Sequence, residues 1–169
     1  LHALILDQGV ARPDVTQQRN RKIEFVGDSW MTGFCDECNG GLCAAGMNTG
    51  SQMAGEDSST FRWGSYALAW PQLLCEDLQG NCHSTVLSGV GFRTACHPSW
   101  CVPNQTLPMF WERALATDTS SQWDFNAWTP DVLVMLAGIN EHFEDPMRDK
   151  EAVLHSYGKF MDSAHERYP

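Results

Sequence analysis

Apolar residues along the chain fall into short runs, and the spacing within each run predicts strands that alternate with helices. Three runs have the β-branched and aromatic character of strands, at 22–27, 82–87 and 131–137. The third run is apolar almost throughout, which is typical of a central parallel strand covered on both faces. Glycine, serine or asparagine follows each run and predicts that the strand stops there.

Helical spacing appears between and after these strands. Residues 61–74 carry apolar side chains at helical spacing, and Pro71 predicts a kink or a restart within them. Further helices are predicted at 107–115 and 149–167. This alternation predicts an α/β fold with a parallel sheet. Because a crossover helix carries the chain to a next strand, we expect the sequence to end inside its domain.

The first residues of the chain differ from the rest. An apolar run at 1–6 predicts a short strand, and a polar stretch follows it. We therefore expect residues 1–20 to be the end of a preceding β-rich segment or a linker, and 21–169 to form one α/β domain. The chain starts at Leu1 without a signal peptide, so we expect either a removed leader or a longer parent protein.

Seven cysteines lie in local groups within the predicted loops and their borders: Cys35, Cys38, Cys43, Cys75, Cys82, Cys96 and Cys101. Such grouping predicts loops closed by short disulfides in an oxidising compartment, and hence a secreted protein. The odd number leaves one thiol free or paired outside the chain. A zinc site built from Cys35 and Cys38 with Cys96, His97 or Cys101 is the alternative. His83 and His97 lie beside cysteines and are expected in loops.

Charge and composition exclude several classes of function. With 21 acidic and 11 basic residues, the formal charge of −10 argues against a basic surface for nucleic acid or anionic membrane. No apolar run approaches the roughly 20 residues of a membrane-spanning helix. The phosphate-binding pattern Gly-x-x-x-x-Gly-Lys is absent from the sequence, and we expect no cofactor.

The three predicted strands end in residues with a shared chemistry. Ser29 follows the first strand, Gly89 the second and Asn140 the third, and in a parallel sheet these ends meet at one edge. Acyl transfer needs this set, with Ser29 as nucleophile and with the backbone N–H groups of Ser29 and Gly89 and the side-chain amide of Asn140 as donors to the oxyanion. The alternatives are that Ser29 caps a helix, that Gly91 takes the place of Gly89, and that Asn140 is a plain turn residue.

These residues resemble the first three blocks of the SGNH (GDSL-type) hydrolases, in Gly27-Asp28-Ser29, Ser88-Gly89 and Gly138-Ile139-Asn140-Glu141. Within that superfamily the chain is most similar to carbohydrate esterase family 2, the acetyl xylan esterase-like group, through Ile23 to Ser29, Ser65-Tyr66-Ala67 and Arg167-Tyr168-Pro169. The resemblance implies a flavodoxin-like three-layer α/β/α fold and a serine esterase that removes acetyl groups from polysaccharides. It also implies a small β-sandwich ahead of the hydrolase domain.

The sequence departs from the family pattern at two points. Glu141 stands where the third block usually has Asp, which matters little if that carboxylate only braces its loop. The family's catalytic histidine belongs to an Asp-x-x-His block near the C-terminus. Asp162 to His165 matches it literally but lies within the last predicted helix, so we interpret it as a solvated face; His142 is a similarly weak candidate. We expect the general base beyond Pro169, which leaves the activity of this stretch alone open.

Two other functions fit the same residues. One is a non-catalytic carbohydrate-binding protein on a hydrolase-like scaffold, and the other is a lipase or thioesterase of the same superfamily. Five tryptophans are candidates for stacking on sugar rings, although each is individually better explained by packing: Trp30, Trp63, Trp100, Trp123 and Trp128.

Overall fold

The computed structural model describes residues 21–34, 36, 64–93, 105–144 and 150–168. The predicted strand at 1–6 and its linker lie outside the described residues, as do most of the two long cysteine-bearing loops. What is described is the sheet, the helices that cover it and the turns at one edge.

Three parallel strands form the sheet, as predicted. They are β1 (Lys22–Gly27), β2 (Asn81–Val86) and β3 (Val132–Leu136), in the spatial order β2-β1-β3. Both outer strands pair with β1 in parallel, and the register places Gly27 opposite Val86 on one side and Leu136 on the other. All three strands therefore end at the same edge of the sheet.

The central strand is β1, which corrects the prediction for β3. Among the described strands β3 lies at an edge, and Val132 and Leu136 are 46% and 44% exposed. Five of the six residues of β1 are buried, including Glu24. Glu24 interrupts the apolar pattern of β1, whereas β3 is apolar throughout, so the pattern alone did not show which described strand lies in the middle.

The helix predicted at 61–74 is shorter and begins later in the structure. A 3-10 turn at Tyr66–Leu68 precedes helix α1 (Trp70–Asp77), and residues 61–63 lie outside the described part. Pro71 sits in the first turn of α1, where the missing backbone N–H has no helical partner to lose. Of the two predicted outcomes, the structure shows the restart, with α1 beginning at Trp70 immediately before Pro71.

The remaining helices differ from the prediction mainly in length. Helix α2 (Leu107–Trp111) ends four residues before the predicted Leu115. Helix α3 (Ile139–Glu144) directly follows β3 and was not predicted. Helix α4 (Lys150–Arg167) matches the last predicted helix closely. No helix within the described ranges combines the length and apolar character that crossing a membrane requires.

Helices cover both faces of the sheet. On one face Cys75 of α1 packs with Ile23 and Phe25 of β1. On the other face α2 and α4 pack over Val26, through an aromatic core that includes Trp111 and Phe160. Side chains of β1 alternate between the two layers, as the strand period requires. The result is the predicted three-layer α/β/α arrangement.

One predicted cysteine group forms a disulfide within the described residues. Cys75 near the end of α1 is bonded to Cys82 in β2, seven positions further along the chain. The cross-link fixes the short connection between a helix and the strand beside β1. The other five cysteines, and with them the zinc alternative, lie outside the described residues.

Candidate active site

The site predicted from the sequence lies on turns at the carboxyl ends of the strands, here called the rim (residues 28–34, 87–93 and 137–141). Ser29 is half-buried and opens a series of turns rather than a helix, so it is not the N-cap of one. Its carbonyl accepts hydrogen bonds from the backbone N–H of Thr32 at 3.3 Å and from Thr32 Oγ1 at 3.3 Å. No described residue forms a hydrogen bond with Ser29 Oγ.

Glycine at position 27 allows this turn to form against β3. A Cβ atom there would lie 2.4 Å from the carbonyl oxygen of Leu136 and 2.4 Å from the sulfur of Met31. The next residue then donates its backbone N–H to Leu136, at 3.2 Å from Asp28 N to the carbonyl oxygen. The close approach of the two backbones thus fixes where the strand ends and where Ser29 lies after it.

The second rim turn carries Gly89 and is tied to the first. Gly89 is buried and has φ of +76°, a conformation that side chains disfavour. The neighbouring Ser88 Oγ lies 3.0 Å from Thr32 Oγ1, and Leu87 N donates to the Gly27 carbonyl at 3.0 Å. These bonds hold the Ser29 and Gly89 turns side by side.

The third rim turn brings in Asn140, which is buried in the first turn of α3 and is therefore not a plain turn residue. Its Nδ2 donates to the carbonyl oxygen of Val90 at 3.0 Å. The side-chain amide nitrogen carries two hydrogens, and the bond to Val90 uses one of them, so Asn140 has a second hydrogen to donate. The structure thus places the turns bearing all three predicted residues, Ser29, Gly89 and Asn140, on one hydrogen-bonded rim.

Two buried carboxyl groups support this rim. Glu141 Oε1 accepts the backbone N–H of Arg93 at 3.1 Å, and its carboxylate lies where a Cβ on Gly91 would be, 2.3 Å from Oε1. Gly91 therefore serves to admit Glu141, and Glu141 braces the second turn. Asp28 Oδ1 accepts the N–H of Trp30 at 3.0 Å. Burial, opposed by the Trp30 N–H and supported by the charge of Glu141, raises the pKa of Asp28 to about 6.

No histidine side chain that the structure describes forms a hydrogen bond with Ser29. His165 is exposed on α4, eight residues beyond Tyr157, which bonds to Ala137 at the rim. At 1.5 Å per residue that is about 12 Å along the helix, away from the rim. This agrees with the interpretation of His165 as a solvated residue. The side chain of His142 lies outside the described part.

His83 is in strand β2, not in a loop as expected. Its Nδ1 lies 3.3 Å from Oε1 of the buried Glu24, and its ring stacks on Trp123 with centroids 4.4 Å apart. Trp111 Nε1 donates to the same carboxylate oxygen at 2.9 Å. Burial, followed by the negative charge of Glu24, raises the pKa of Tyr168. Glu24 is thus the centre of a polar cluster inside the α2 and α4 layer, which the sequence pattern did not reveal.

Other ligand sites are limited in the part of the chain that the structure describes. No group of three or more histidine, cysteine or acidic side chains there is arranged to hold a metal ion. A cavity of about 330 Å³ opens at the rim beside the Ser29 turn, lined by Asp28, Trp30, Leu136, Ala137 and Ile139. Ser29 itself does not line it, although both of its neighbours in the chain do.

Comparison with known proteins gives a consistent picture of the fold. No protein-family model matches the sequence. No curated protein matches it either. Among solved structures, a family 2 carbohydrate esterase from Clostridium thermocellum in complex with cellohexaose is similar with a TM-score of 0.68 and 20% identity, over 89% of this chain and 40% of that one.

Two further structures show the same similarity. A family 2 carbohydrate esterase from Cellvibrio japonicus has a TM-score of 0.68 and 22% identity, over 89% of this chain and 40% of that one. An acetyl xylan esterase from the rumen bacterium Butyrivibrio proteoclasticus has a TM-score of 0.64 and 15% identity, over 89% of this chain and 45% of that one. The chain spans less than half the length of these enzymes. The predicted resemblance is confirmed at the level of structure: the chain has the α/β fold of the SGNH-type family 2 carbohydrate esterases.

Proposed function

We propose that this protein is a serine ester hydrolase of the SGNH type that removes acetyl or other short acyl groups from carbohydrate. The observation that carries the proposal is the hydrogen-bonded rim. Thr32 and Ser88 tie the Ser29 turn to the Gly89 turn, and Asn140 ties the Gly89 turn to the third. These bonds hold the serine hydroxyl, the glycine turn and the side-chain amide in fixed relative positions, as a preorganised acyl-transfer site requires.

The reaction proceeds through an acyl-enzyme. Ser29 Oγ attacks the ester carbonyl carbon while its proton passes to a general base, and the carbonyl oxygen becomes an oxyanion. The backbone N–H of Gly89 and the second amide hydrogen of Asn140 stabilise that oxyanion. The sugar alkoxide leaves with a proton, and water then cleaves the acyl-serine ester to release the acid and restore the hydroxyl.

The carbohydrate substrate rests on the structural neighbours, which are carbohydrate esterases, one of them bound to cellohexaose. Secretion is part of the same proposal, because polysaccharides lie outside the cell and because Cys75 and Cys82 form a disulfide. A lipase or thioesterase of the same superfamily uses the same rim chemistry and differs in the acyl chain and in the leaving alcohol or thiol that it accepts.

The second candidate function is carbohydrate binding without catalysis. It is favoured by the absence, among the described side chains, of a histidine that contacts Ser29. Without a base to accept its proton, a serine hydroxyl is a weak nucleophile. The same rim and cavity then hold a sugar without cleaving its ester.

The decisive experiment uses the protein at its natural length with a serine-directed fluorophosphonate probe. We expect the probe to label the wild type at Ser29 and to leave the folded variant Ser29→Ala unlabelled. The same preparation should release acetate from acetylated xylan and should not cleave p-nitrophenyl palmitate. A folded protein that is neither labelled nor active, yet binds xylan, would establish the second function instead. Preference for palmitate would identify a lipase.

A further inference from the structure

Trp30 is the most exposed of the large apolar side chains that the structure describes, with 65% of its surface accessible. It follows Ser29 directly in the chain. Most tryptophans are largely buried, because the indole ring contributes much apolar surface to a core. Packing therefore does not explain Trp30, in contrast with Trp123, which stacks on His83.

The backbone of this exposed residue is held on both sides. Trp30 N donates to Asp28 Oδ1 at 3.0 Å, and Trp70 Nε1 donates to the carbonyl oxygen of Trp30 at 2.8 Å. The Trp70 ring in turn packs edge-on against Phe25 of the central strand, with centroids 5.7 Å apart. Two hydrogen bonds thus fix the backbone from which the exposed indole projects, and a fixed backbone reduces the ordering cost of binding.

Trp30 is one of the five residues that line the cavity of about 330 Å³ at the rim. Leu136, Ala137 and Ile139 make most of the remaining lining, with Leu136 44% exposed. A volume of this size is at the lower end of small-molecule sites, which are mostly apolar with a few polar groups. The cavity adjoins the Ser29 turn, so whatever occupies it stands next to the proposed nucleophile.

We propose that Trp30 is the specificity-determining platform on which a sugar ring of the substrate stacks. A pyranose ring has an apolar C–H face and polar edges, and an indole offers a flat apolar surface of matching size. Stacking on Trp30 positions the ring so that an ester on its edge reaches Ser29. This inference rests on the proposed function, since it names the residue that selects carbohydrate at the same site.

The kinetic test compares a sugar ester with an ester that has no ring. For Trp30→Ala, we expect KM for acetylated xylo-oligosaccharide to rise about tenfold, in keeping with the loss of one aromatic contact. The value of kcat/KM for glyceryl triacetate should stay within about twofold, since that substrate cannot stack. For Trp30→Phe, KM for acetylated xylo-oligosaccharide should lie between the values for the wild type and Trp30→Ala. The control is Leu115→Ala, which removes another exposed apolar side chain far from the rim in sequence. It should leave the kinetic constants for both substrates unchanged. Equal losses on both substrates would overturn the proposal.

A binding test separates this inference from the proposed catalysis. In the variant Ser29→Ala, titration with acetylated xylo-oligosaccharide should change indole fluorescence, and the change should be lost in Ser29→Ala/Trp30→Ala. If the signal depends on Trp30 but the wild-type protein hydrolyses no ester, the platform is supported and the esterase is contradicted. Hydrolysis of the sugar ester with no dependence on Trp30 in either measurement would support the esterase and contradict the platform.

Discussion

Asp28 and Glu141 place two buried carboxyl groups on the same rim, and the negative charge of Glu141 helps to raise the pKa of Asp28. Burial is the larger cause, and together they bring that pKa from 3.8 to about 6. Neither residue contacts the other through a hydrogen bond among the described residues. Each instead accepts a backbone N–H of a rim turn, Asp28 from Trp30 and Glu141 from Arg93.

This arrangement predicts that the free energy of unfolding depends on the protonation of Asp28. Between about pH 4 and pH 6 the folded protein keeps a proton on Asp28 that the unfolded chain has released, so stability falls as pH rises through that window. The shift of about two units corresponds to about 3 kcal/mol. Asp28→Asn keeps an acceptor for Trp30 and removes the titration. It should therefore gain stability over the wild type at pH 8 and lose the gain below pH 4.

Urea denaturation at pH values from 4 to 8 measures this difference. Asp162→Asn, which removes an exposed carboxylate from α4, is the matched control and should show no comparable dependence. Parallel stability curves for Asp28→Asn and the wild type across the window would show that Asp28 does not titrate in it.

A second prediction concerns the close contact of Gly91 with Glu141. In Gly91→Ala the new methyl group would lie 2.3 Å from Glu141 Oε1, so the buried carboxylate must move. We expect a loss of about 1–3 kcal/mol in the free energy of unfolding. Glu141→Asp shortens the side chain by one methylene and makes room. In that background the alanine should cost clearly less, and equal costs in both backgrounds would contradict the contact.

Asn140 tests the proposed oxyanion site. Asn140→Ala removes an amide donor as well as the hydrogen bond to Val90, and loss of one oxyanion donor lowers kcat by about 10²–10³-fold. Ser88→Ala removes a rim hydrogen bond to Thr32 but no proposed donor, so it should reduce kcat far less. Initial rates on an acetylated sugar, with KM and thermal stability measured for both variants, make the comparison. Similar losses in the two variants would assign Asn140 a bracing role only.

The rim was predictable from the sequence because its signals are local. Gly27, Asp28 and Ser29 follow one another at a strand end, and the parallel fold alone brings that end beside Gly89 and Asn140. The three strands were found within one or two residues for the same reason. The catalytic roles of Ser29, Gly89 and Asn140 are predictions.

Contacts between distant segments were not predictable. Glu24 accepts hydrogen bonds from side chains 59 and 87 positions away, and nothing in the strand pattern indicates either partner. The short α2 had a similar cause: apolar spacing continued to Leu115, but Trp123 N bonds to the carbonyl of Glu112 at 2.8 Å and holds the following loop against the helix end. Tertiary contacts overrode local preference in both places.

The Glu24 cluster gives the last prediction, which is one of stability rather than catalysis. Glu24 is fully buried, and its Oε1 accepts the indole N–H of Trp111 at 2.9 Å. Glu24→Ala leaves that N–H unpaired and opens a cavity under α2, so we expect a loss of about 2–4 kcal/mol in the free energy of unfolding.

Trp111→Phe keeps an aromatic ring but has no donor. In a double-mutant cycle the two changes should couple by about 1–3 kcal/mol, because a hydrogen bond to a charged group stabilises a protein more than one between neutral groups. Since Glu24 lies on β1 five residues before Ser29, the activity per folded molecule should stay near that of the wild type. Additive losses in denaturant unfolding would show that Glu24 and Trp111 contribute independently, and a selective fall in kcat would place the cluster in the catalytic machinery.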